Sequence, residues 1–164
     1  MRIWHLAWGI FSRMAGLGTG YGVLLGGIYG TLYFPVSLFL FDGMLEDLEF
    51  SVGTACFYLL LGFVIGAAFG MAWGLFLGIA SGVVTASATA LAPHLVSNTN
   101  LYLRVVRLLC LTMIGVSLSL MTVWPHSNPI LWFLSAVVPA LLAAWAFWGI
   151  SENVTGWVNH PGLV

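Results

Sequence analysis

The sequence predicts an all-α integral membrane protein with four transmembrane helices, five being the alternative, and a long, glycine-zippered second helix. Three observations predict it. Of 164 residues, 61% are hydrophobic and 5% charged, against roughly 25% charged in a soluble domain. A water-facing surface cannot be assembled from that inventory. The four arginines and five acids leave uncharged runs longer than the ~20 residues that cross a hydrocarbon core. Two of those runs carry glycine at every fourth position.

Residues 1–13 read as an interfacial lead-in, with Arg2, Trp4, Trp8 and Arg13 at headgroup depth, rings in the interface and guanidinium groups snorkelling to phosphate. The first span covers about 14–41. A loop holding Asp42, Glu46, Asp47 and Glu49 follows. It is the densest charge in the chain and a candidate docking patch for a basic partner, with a solvated linker as the plainer alternative.

The second span covers 51–91. It has no proline or charged residue to break it until Pro93, so one long helix is expected, while two short helices would give five spans. The third span covers 101–124, opening on Arg104 and Arg107. The stretch "WPHSNP" at 124–129 ends it, because proline cannot continue a helix. The fourth span covers 129–150 and a short tail covers 151–164. The chain is thus one transmembrane domain, 1–164. With four spans, both arginine pairs fall on one side, and the positive-inside rule places both termini in the cytoplasm. The expected location is a bacterial-type inner or plasma membrane.

The glycine rows are Gly18, Gly22, Gly26 and Gly30 in the first span, and Gly62, Gly66, Gly70, Gly74, Gly78 and Gly82 in the second. Ala86 and Ala90 extend the second row in register. Glycine inside a helix costs about 1 kcal/mol relative to alanine in water. In a bilayer the helix survives that cost, and small residues let backbones approach closely. Each four-residue step advances about 400°, a drift of ~40°. Six glycines therefore wind ~200° around a straight helix, which predicts a steep crossing or several partners for successive glycines: either the first two spans pack on each other within one chain, or the second helix also packs against other chains.

Chemistry is scarce. An intramembrane site usually shows itself by ionisable groups at depth, and every charged residue lies near an expected span end or in a loop. His5, His94, His126 and His160 are terminal or in loops as well. No catalytic residue, metal or cofactor is expected, and no enzyme. With no lysine and a net charge of −1, no nucleic-acid partner is expected either. Ser81, Thr85 and Thr89 form a hydroxyl stripe beside the small-residue row; with Trp73 they are the candidates for a pore or polar face. The function expected is a non-enzymatic membrane subunit. It would assemble in the lipid bilayer through glycine-row packing, as a homo-oligomer or as an accessory subunit among other membrane subunits. The alternative is an oligomeric channel or small transporter whose pore is lined by the second helix.

Overall fold

A computed structural model describes residues 2–42, 52–92, 98–122, 130 and 133–158, without the side chains of 2, 3, 38–42 and 117–122. The helices are α1 (Arg2–Asp42), α2 (Val52–Leu91), α3 (Thr99–Thr122) and α4 (Val138–Val158), the last entered through a π turn at Phe133–Val137. No strand occurs among the described residues. Among the described residues, three helices are long and apolar enough to cross a membrane: Val52–Leu91, Thr99–Val116 and Phe133–Val158. The first helix is as long as α2.

Residues 2–13 are the first turns of α1 rather than a separate segment. Ile10 and Met14 lie one turn apart, so both reach the core, where they are fully buried; Arg13 stays exposed. Residues 52–91 form one unbroken helix. Pro35 is accommodated within α1. At the other end of the chain, the helix runs eight residues past the expected end at 150, because Ser151, Val154, Thr155 and Val158 are all buried.

At 1.5 Å per residue, α1 and α2 are each about 60 Å long, whereas α3 and α4 with its π turn are about 35–40 Å. Successive helices run antiparallel. Thr89 of α2 meets Tyr102 of α3, Arg107 of α3 meets Glu152 of α4, and Tyr29 of α1 meets Leu134 in the π turn. The core lies where all four helices overlap and includes Ile10, Met14, Leu77, Val106, Phe147 and Ile150. Beyond Tyr29 the contact between α1 and α2 continues, with Phe34 packing on Tyr58.

Candidate functional site: the glycine interface and the arginine end

The two glycine rows meet each other. In antiparallel register, Gly18 faces Gly74 and Gly78, Gly22 faces Gly70 and Gly74, Gly26 faces Gly66 and Gly70, and Gly30 faces Gly62 and Gly66. A methyl group on Gly18 would lie 2.6 Å from the Gly74 carbonyl oxygen, and one on Gly62 would lie 2.5 Å from that of Gly30. Those atoms are backbone and cannot swing aside. Gly78 continues the contact against the Met14 carbonyl, and Gly82 against Phe11.

All six glycines of the α2 row therefore face α1 of the same chain, not a succession of partners. Straight, near-parallel helices could not achieve this, given the ~40° drift per step. Contact sustained over five steps requires the axes to wind around each other, and a period longer than 3.6 residues sets that winding right-handed. Ala86 packs against the core and Ala90 is partly exposed. Gly16 and Gly20, off the row, have open space where a Cβ would project.

The hydroxyl stripe turns inward. Ser81, Thr85 and Thr89 are buried. The Ser81 hydroxyl donates to the Leu77 carbonyl at 2.5 Å, and that of Thr89 donates to the Thr85 carbonyl at 2.8 Å. Thr89 also meets the Tyr102 hydroxyl at 3.1 Å. Thr85 Oγ1 is buried with no hydrogen-bond partner among the described residues. Trp73 is partly exposed and stacks on Phe76.

The antiparallel order brings the arginines to one end. Arg107 donates to the Glu152 carboxylate at 2.5 Å, lies 3.4 Å from Ser151 Oγ and covers the Trp148 ring at 3.6 Å. Arg13 lies over the Trp157 ring at 4.6 Å, and that ring rests on Gly9. Arg104 is exposed, as are Trp4 and Trp8. Arg2 opens α1 at this end. At the opposite end Asp42 closes α1; its side chain, together with Glu46, Asp47, Glu49, His94, His126 and His160, lies outside the described residues.

Sequence reading missed the cross-helix pairs. Arg107 and Glu152 carry opposite charge, but 45 residues separate them, and only the antiparallel pairing of α3 with α4 brings them together. Chemically, this arrangement holds helices together. Among the described residues no group of three His, Cys, Asp or Glu side chains could hold a metal ion. Arg13, Arg104, Arg107 and Glu152 all sit at the same end of the bundle. Compared with known proteins, the chain matches no family model, no curated protein and no solved structure.

Proposed function

We propose that this protein is a non-enzymatic integral membrane subunit of four spans. It serves as a homo-oligomer or as an accessory component of a larger membrane complex. The glycine rows act as a zipper that builds the α1–α2 hairpin, leaving the outer faces of the helices to lipid and to neighbouring subunits. The observation that carries this reading is the combination of the glycine interface with an apolar exterior. Leu60, Phe69, Phe76 and Trp145 are all more than half exposed along the bundle, more apolar surface than a soluble monomer tolerates. With the arginines at one end, the positive-inside rule puts that end and both termini in the cytoplasm.

Mild-detergent extraction, followed by light scattering and identification of whatever co-purifies, tests the proposal. The expected result is a membrane-fraction protein recovered as a defined oligomer or with a stoichiometric partner. Recovery in the soluble fraction would contradict the membrane reading, and a strict monomer with nothing bound would contradict the subunit reading.

A further inference from the structure

The entry to α4 combines three features that the subunit reading does not use. Residues Phe133–Val137 form a π turn, a geometry that is rare and frequent at functional sites. Pro139 follows immediately. In the i→i+5 register of such a turn, the N–H of Val138 belongs to Phe133. The donor to the Leu134 carbonyl then falls at residue 139, where proline has none. The Tyr29 hydroxyl, reaching across from α1, donates to that carbonyl. Tyr29 is itself held by stacking on Tyr33, with ring centroids 5.4 Å apart.

A groove lies beside this contact. Leu25, Tyr29 and Tyr33 of α1, Leu134 of the π turn, and Val138 and Leu142 of α4 line a cavity of about 390 Å³. Leu25, Tyr29 and Leu142 also line a second cavity of about 100 Å³, which reaches Pro139, Trp73 and the row glycines Gly70 and Gly74. The outer groove is open along Ile28 and Leu32, both exposed. Leu134 and Val138 line the outer groove alone, whereas Leu25, Tyr29 and Leu142 border both spaces.

We propose that the π turn with Pro139 is a hinge and that Tyr29 is its latch, so that residues 133–142 form a lid over the apolar groove between α1 and α4. Closed, the lid is pinned by a hydrogen bond to the carbonyl that Pro139 leaves without a helical donor. Released, the first turns of α4 swing from α1 and widen the groove between them. The remainder of α4 stays fixed, because Phe147, Ile150, Val154 and Val158 are anchored in the core.

Amide hydrogen exchange on the full chain in lipid nanodiscs tests this, with Tyr29→Phe, Pro139→Ala, the double variant and Tyr33→Phe as a control. Tyr29→Phe is expected to speed exchange in residues 133–142 by about three- to tenfold, the range for one hydrogen bond between membrane helices. Residues 146–158 and Tyr33→Phe should be unchanged. In the Pro139→Ala background, residue 139 supplies the missing donor, so the Tyr29→Phe effect should shrink towards none. An unchanged rate in Tyr29→Phe, a uniform increase over all of α4, or an equal effect in both backgrounds would each overturn the proposal. None of these results bears on whether the protein is a membrane subunit.

Discussion

Gly22 and Gly70 face each other so closely that a methyl group on either would run into the carbonyl oxygen of the other. The usual rule for helical glycine therefore reverses along this interface. Alanine normally stabilises a helix relative to glycine by up to about 1 kcal/mol. Here the backbones must separate to admit it, and overpacking of this kind costs about 1–3 kcal/mol. Gly22→Ala and Gly70→Ala are expected to lower stability in reversible detergent unfolding followed by circular dichroism. Gly16→Ala and Gly20→Ala, where a methyl meets nothing within 4 Å, are expected to be neutral or stabilising. Equal effects at the two pairs of sites would remove the interface.

Thr85 and Thr89 stand one turn apart on α2 and should respond with opposite sign. The Thr85 hydroxyl is buried and unpaired, a state that costs about 1–3 kcal/mol. Thr85→Val keeps the shape and should leave stability unchanged or raise it by up to about 1 kcal/mol. Thr89→Val removes the partner of the buried Tyr102 hydroxyl and should cost about 1 kcal/mol or more. Unfolding of the two variants under identical conditions provides the comparison; a loss at Thr85 larger than at Thr89 would refute this assignment.

At the arginine end, Arg107 is held more by its neighbours than by its charge partner. Glu152 is 57% exposed and Arg107 20%, and exposed ion pairs contribute ~0–1 kcal/mol. The guanidinium also covers the Trp148 ring, a contact worth ~0.5–1 kcal/mol or more where water is excluded. Glu152→Gln should therefore cost less than about 0.5 kcal/mol, and Arg107→Ala clearly more. Arg107→Lys should recover only part of that loss, since an ammonium cannot stack as a planar guanidinium does. Thermal unfolding of the three variants at two salt concentrations checks the order.

Some of this architecture was legible in the sequence. The uncharged run from Phe50 to Leu103 contains no break before Pro93, and α2 is continuous through Leu91. The four-residue glycine spacing marked both faces of the main interface. Packing of the first two spans on each other was one of the two readings open; that α1 takes all six glycines of the α2 row was not legible, because drift computed for a straight helix says nothing about two helices that wind together. Nor could the sequence show that Ile10 belongs to the core, since Arg13 nearby carries an interfacial signal that its exposed position satisfies without ending the helix. The π turn was invisible for a different reason. Pro139 announces a lost hydrogen bond, but only the packing of α1 against α4 reveals that Tyr29 supplies the replacement.

The α2 glycine row is occupied by α1 of the same chain. Magnetic-resonance contacts between isotopically labelled Gly22 and Gly70 in lipid bilayers test it most directly, measured before and after dilution of labelled chains into an excess of unlabelled ones. A contact within one chain keeps its full intensity per labelled molecule on dilution, and that is the expected result. A contact that fades with dilution, or a Gly70 signal correlated with a different helix, would contradict it.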